Sequence, residues 1–326
     1  MRTPPPLAGL SDFFDAVDKF LSDLAGVGWA ALAIALACFA AYLSLRARAA
    51  FNILRAAYPT ERFRYKDIWA AYFAGYGFNS VIPARGGDVI RLFLTKTSVP
   101  RSSYPAVGAS FFVENVFDLT MAVFILGFAF TQGVFPKPPD FASLSAFDLS
   151  FFASHPQFAL FTITALGVLF LAAVAILSAR VRAFWERVKQ GLTVLYDRRR
   201  YLRQVWGVQF AGWLFRFAAF WFLLEAFHIG GSVKNVLLVL GVNAVAAAVP
   251  FTPGGAGVQQ ALLVKVFGPG AAAYSVGQQI AIAAWTFGIG FLALAVVFRV
   301  RSFKEIIRRG REDRERDKRM RAEAAT

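Results

Sequence analysis

Little in this chain can bind a metal or form a crosslink. Cys38 is its one cysteine, so an intrachain disulfide is excluded, and its place in an apolar helix reads as packing. His155 and His228 are the only histidines and stand far apart, too few for a metal site that ordinarily takes three or more protein ligands. No metal or other cofactor is expected. No G-x-x-x-x-G-K-S/T loop occurs, which excludes a phosphate-binding loop for ATP-driven work within this sequence. The opening residues MRTPPPLAGL have no apolar core close behind their charged start, so a cleaved signal peptide is not expected. Charge is also scarce, at 17% of 326 residues.

What fills the chain instead is apolar. Such residues make up 57% of it and aromatics 16%, with a mean hydropathy of +0.52, the profile of an all-α, polytopic helical membrane protein. The formal net charge of +15 raises the question of nucleic acid. The basic residues, however, lie between apolar spans and in the tail, where membrane proteins collect Lys and Arg on the cytoplasmic side. Nucleic acid is therefore not an expected partner.

Charge distribution along the chain predicts a topology. Ser11 to Leu24 places Phe13, Phe14, Val17, Phe20, Leu21 and Leu24 at helical spacing, either an amphipathic helix in the headgroup region or one packed on the protein's own surface. Gly26 to Leu45 is the first full span. Arg46, Arg48, Arg55, Arg62, Arg64 and Lys66 follow it, which assigns residues 46–66 to the cytoplasm and the N-terminus to the outside. Pro105 to Phe135, Phe158 to Ser178, Val205 to Phe227 and Val276 to Phe298 are further crossings. The loop 136–156 has Lys137 as its only Lys or Arg, whereas Arg180 to Arg203 is strongly basic, with only Glu186 and Asp197 as acids. The expected division is an interfacial helix over 1–25, a transmembrane domain over 26–298 and a basic cytoplasmic tail over 299–326, in the cell's inner membrane.

Two interrupted segments break this pattern. Asp67 to Ile82 ends at Pro83-Ala84-Arg85-Gly86-Gly87-Asp88, and a full crossing there would strand Arg91, Lys96 and Arg101 outside. A re-entrant hairpin returns them to the cytoplasm. The apolar run Val236 to Val249 is likewise too short to span and breaks at Pro250 to Gly255. Span, hairpin, span thus occurs twice with opposite orientation, an inverted-topology repeat whose paired breaks point to a transport site.

The breaks also hold the candidate site. Asn79, Arg85, Asp88 and Arg91 surround the first. Charges at membrane depth are costly unless paired or facing a cavity, and a guanidinium is a natural two-pronged partner for phosphate. The alternative is that Arg85 and Arg91 are ordinary cytoplasmic-side anchors, with Asp88 as a helix cap. Glu114 and Asp118 share one helix face, so either one is protonated or both pair with arginine. They read as counter-ions for Arg85 or Arg91, as a proton-coupling site, or as structural pairing. At the second break Thr252 suits an N-cap and Pro253 the first helical position, so Thr252, Gly254, Gly255 and Gln260 are candidate substrate contacts, or only a tight turn. Arg216 and Glu225 lie within one span at different heights and are expected to pair elsewhere. No catalytic residue is identified.

Three ordered motifs, GFNSVIPARGGDVIR at 77–91, VENVFDLT at 113–120 and PGGAGVQQALL at 253–263, resemble the lysylphosphatidylglycerol synthase transmembrane family. Asn79, Pro83, Arg85, Asp88 and Arg91 fall on its N-x-x-x-P-x-R-x-G-E/D-x-x-R pattern. Glu114 and Asp118 fall on its E-R-x-x-D pattern, with Asn115 in place of the usual Arg. Pro253, Gly254, Gly255 and Gly257 fall on its P-G-G-x-G run, where Gln259 and Gln260 replace Arg-Glu. The resemblance implies a lipid-translocating domain with paired re-entrant helices, linked in the family to aminoacylated phospholipids, glycosylated polyprenyl lipids or hopanoids. Neither the family's extra first span nor the soluble aminoacyl-transferase domain is found, so lipid synthesis by this chain is not expected.

The reading that follows is a flippase or scramblase for a phosphate-bearing lipid. Its expected partners are membrane lipids, with a second copy of the chain or a lipid-biosynthetic enzyme as protein partners. Two alternatives stand beside it. A membrane phosphatase of prenyl pyrophosphates would want a nucleophile where Ala256 and Gly257 stand, and an accessory protein would not transport at all.

Overall fold

A computed structural model describes residues 26–82, 85–132, 184–246, 257–299 and 308. Besides the helical residues 184–191, the helices are α1 (Trp29–Ala57), α2 (Tyr65–Asn79), α3 (Gly86–Ser98), α4 (Tyr104–Thr131), α5 (Arg198–Ala226), α6 (Val233–Ala246), α7 (Val258–Phe267) and α8 (Ala272–Val297). The expected amphipathic segment 11–24, the loop 136–156, the crossing 158–178, the break residues Pro83, Thr252, Pro253, Gly254 and Gly255, and most of the tail lie outside the described residues. No strand occurs among those described.

Among the described residues four helices, α1, α4, α5 and α8, are long and apolar enough to cross a membrane. At 1.5 Å per residue their 26 to 29 residues reach about 40 Å, beyond the roughly 30 Å of a hydrocarbon core. Only 22% to 33% of each apolar window is buried inside the protein. The rest points outward: Leu119, Val123 and Phe124 on α4 and Phe291, Leu292 and Val296 on α8 are all exposed. A protein in water does not tolerate apolar belts of this kind, whereas lipid requires them.

The first span runs past its expected end. Residues 46–57 continue α1 because Ala, Arg and Leu are strong helix formers, and no glycine or proline intervenes before Pro59. Arg46, expected among the cytoplasmic anchors, is therefore carried within the helix and is only 9% exposed. The positive-inside pattern does not account for it, because it has buried partners of its own.

Packing fixes how the helices are arranged. Antiparallel pairing joins α1 and α5, since the Gly28 amide donates to the Ala226 carbonyl at 2.8 Å near one end and Asn52 Nδ2 to the Gln204 carbonyl at 2.7 Å toward the other. Helices α2 and α3 form a hairpin in which Gly75 faces Gly87 and Arg91, with Asn79 beside Gly87 near the turn. Helix α2 also lies against α8 at glycine contacts. A Cβ on Gly77 would come 2.6 Å from the Thr286 carbonyl oxygen, and one on Gly290 2.8 Å from that of Phe73, so only glycine permits this approach. In the other half α6 packs on α4, with Gly241 against Ala129. The first short helix of each half thus rests on the final long helix of the opposite half. One apolar core, including Phe39, Leu43, Phe73, Leu223, Leu240 and Tyr274, joins both halves.

Candidate functional site

Six helices converge on a cavity of about 570 Å³. Helical periodicity places the polar residues there: Tyr42 and Arg46 on α1, Tyr72, Tyr76 and Asn79 on α2, Glu114 and Asp118 on α4, each set at three- or four-residue spacing and so on one face. Arg85, Asp88 and Arg91 come from the start of α3, Trp213 and Arg216 from α5, and Asn243 from α6.

Ion pairs bind most of the charges. Arg46 donates from both terminal nitrogens to Asp118, at 2.5 and 2.7 Å, and from Nε to the Tyr72 hydroxyl at 2.7 Å. That hydroxyl donates in turn to Glu114 Oε2 at 3.0 Å, and Arg46 also lies 3.7 Å from the same oxygen. The other Glu114 oxygen is taken by Arg91. Arg91 is held between two rings, 3.9 Å from the centroid of Tyr72 and 3.9 Å from that of Phe111, so its planar cation stacks on both faces. Of the readings open for Glu114 and Asp118, pairing with arginine describes both. Asp118 takes Arg46 rather than Arg85, and Glu114 takes Arg91.

Arg85 stands at the mouth. It precedes the first turn of α3 with φ 57° and ψ 35°, a left-handed conformation that side chains disfavour. Its side chain is 76% exposed, with Nε 3.1 Å from Asp88 Oδ2. Asp88 also accepts from Asn79 Nδ2 at 2.8 Å. The four residues assigned to the first break from sequence are therefore together, with Asn79, Arg85 and Asp88 at one edge and Arg91 deeper in.

The second break is described only from Gly257 onward. Gln260 Oε1 accepts from the Gly257 amide at 2.5 Å, and its Nε2 donates to Gln279 on α8. Gln260 ties α7 to α8 and does not line this cavity. Gln259 donates to Asn243 Oδ1 at 2.7 Å and links α7 to the cavity wall instead. Thr252, Gly254 and Gly255 lie outside the described residues.

Sequence reasoning passed over Arg46, Tyr42, Tyr72 and Tyr76. The available signal was polar side chains repeating every three or four residues within otherwise apolar helices. Arg216 and Glu225 lie apart, but neither forms the expected ion pair among the described residues: Glu225 Oε1 accepts from the Gly231 amide at 2.8 Å, and Arg216 lines the cavity.

A bundle of long apolar helices around a charged internal cavity defines a polytopic membrane protein. Residues 9–297 match the model of the family described as "Lysylphosphatidylglycerol synthase TM region", and the chain belongs to that family. Its role is accordingly a membrane, lipid-related one. No curated protein and no solved structure matches the chain.

Proposed function

We propose that this protein moves a phosphate-bearing lipid from one leaflet of the cytoplasmic membrane to the other. The observation that carries the reading is the cavity of about 570 Å³ lined by Arg46, Arg85, Arg91 and Arg216 between helices that otherwise face hydrocarbon. Moving a charged headgroup through lipid without such a groove is prohibitive, because its hydration is lost and nothing replaces it. Guanidinium groups and tyrosine hydroxyls supply that replacement, while the acyl or prenyl tails stay in the bilayer.

In this reading the α2–α3 hairpin and the α6–α7 pair are re-entrant elements entering from opposite leaflets, with the N-terminus outside and the tail in the cytoplasm. At about 22 Å and 20 Å, α2 and α3 are too short to cross alone, and the packing of α2 on α8 and of α6 on α4 supports an inverted repeat. The process is non-enzymatic. Among the described residues that line the cavity there is no Ser, Thr, Cys or His to act as nucleophile, and Glu114 and Asp118 are engaged by arginines.

Reconstitution into vesicles with fluorescent phospholipid or polyprenyl phosphate in one leaflet tests the proposal. Wild-type protein is expected to move the probe faster than protein-free vesicles, and Arg85→Ala to slow it. Movement at the protein-free rate overturns the transport reading.

A further inference from the structure

Three of the four cavity arginines have a carboxylate of their own: Arg46 has Asp118, Arg91 has Glu114, and Arg85 has Asp88. Arg216 has no ion pair among the described residues, and the carboxylate within its electrostatic reach, Asp118, is already bound in two prongs by Arg46. Its guanidinium rests over the rings of Tyr42, at 5.6 Å, and Phe220, at 5.9 Å. Arg46 approaches the same Tyr42 ring at 5.9 Å, so two cations lie against one ring and share the single carboxylate of Asp118, which bonds Arg46. The segment 247–256 joining α6 to α7 contains no acidic residue that could supply the missing charge. One turn before Arg216 on α5, Trp213 lines the same cavity, and its indole N–H is buried without a hydrogen-bond partner among the described residues. A buried donor without an acceptor and a cation without an anion of its own are both costly, and they lie three residues apart on one helix.

We propose that Arg216 and Trp213 together form the headgroup-recognition point of the cavity, specific for a singly charged phosphodiester in a lipid with net negative charge. This rests on the lipid-binding part of the function proposed above and narrows its substrate class. The phosphodiester oxygens accept two parallel bonds from the Arg216 guanidinium and one from the Trp213 N–H. Four arginines against the carboxylates of Asp88, Glu114 and Asp118 leave one positive charge, so a single phosphodiester charge makes the filled cavity neutral. A headgroup that carries an added aminoacyl ammonium finds no open carboxylate, because all three are held by arginines. Its affinity is lower for that reason, and the discrimination works through an unmatched charge.

Native mass spectrometry of the purified full-length chain, titrated separately with phosphatidylglycerol, phosphatidylethanolamine, lysyl-phosphatidylglycerol and inorganic phosphate, tests this. Wild-type protein is expected to retain phosphatidylglycerol at least about tenfold more tightly than lysyl-phosphatidylglycerol, the worth of one charge-assisted hydrogen bond. Arg216→Gln abolishes that ratio, Arg216→Lys keeps part of it, and Trp213→Phe weakens phosphatidylglycerol while the preference remains. A ratio between two lipids on one sample does not depend on the fraction folded. Equal retention of the two lipids by the wild type, or an unchanged ratio in Arg216→Gln, overturns the assignment. Inorganic phosphate competing as well as the lipid overturns its lipid part. Preference without vesicle transport supports this recognition point and removes the transport reading instead.

Discussion

Arg46 and Asp118 are 72 positions apart and meet in a two-pronged ion pair of 2.5 and 2.7 Å, with the arginine almost wholly buried. Through Tyr72 the same arginine reaches α2, so one guanidinium holds α1, α2 and α4 around the cavity. The geometry leaves that arginine little freedom to engage a ligand.

Removing half of this pair is expected to be worse than removing all of it. Arg46→Leu or Asp118→Leu alone leaves its partner short of a counter-charge, with an expected loss of about 1–3 kcal/mol, below that of a fully buried pair because Asp118 is 41% exposed and Arg46 keeps Glu114 at 3.7 Å. The double variant, with neither charge, recovers most of that loss. Thermal unfolding in detergent reads the coupling, and additive losses in the double variant would show that the two residues do not stabilise one another.

Arg91 has a different requirement, because its position depends on shape as well as charge. A lysine at 91 keeps the cation but cannot lie flat between Tyr72 and Phe111, each 3.9 Å away, while also reaching Glu114. Arg91→Lys is therefore expected to behave like Arg91→Ala, with lipid transport lowered by about tenfold or more, the scale of removing both cation–ring stacks at once. Activity of the lysine variant close to wild type would mean that charge alone suffices.

The packing of α2 on α8 predicts opposite outcomes for similar substitutions. Gly77→Ala and Gly290→Ala each force a methyl into the facing backbone, and overpacking of this kind costs typically about 1–3 kcal/mol. Gly127→Ala on α4 meets nothing within 4 Å and replaces a poor helix former by a good one, for a gain of up to about 1 kcal/mol. Melting temperatures of the three variants, compared in one detergent, check the sign of each.

Much of this molecule was legible from sequence where a single local property decided it. The long apolar runs gave α1, α4, α5 and α8, and the Pro83 to Gly87 stretch marked the boundary between α2 and α3 because a proline cannot continue a helix from the residues before it. Glu114 and Asp118 were found since two acids one turn apart are conspicuous among Phe, Val and Leu. Arg46 was not, because it stands at the end of an apolar run where the positive-inside pattern explains any arginine equally well. Its burial follows from Asp118, which lies three helices further on. Tyr42, Tyr72 and Tyr76 were hidden for a related reason: tyrosine in an apolar helix looks like core until a partner for its hydroxyl is known. Arg216 required the antiparallel register of α5 on α1, set by Gly28 with Ala226 and Asn52 with Gln204, which no local pattern encodes.

Arg85 separates backbone from charge in one position. Its left-handed conformation, φ 57° and ψ 35°, costs an ordinary residue about 1 kcal/mol that glycine avoids, and its exposed pair with Asp88 contributes at most about as much. Arg85→Gly should therefore melt higher than Arg85→Ala, since only the glycine relieves the strain, while both lose the guanidinium. If the mouth of the cavity needs that cation, the two variants transport lipid equally slowly despite their different stabilities. Transport that instead follows the melting temperature, with the glycine variant near wild type, would show that Arg85 serves the turn and not the headgroup.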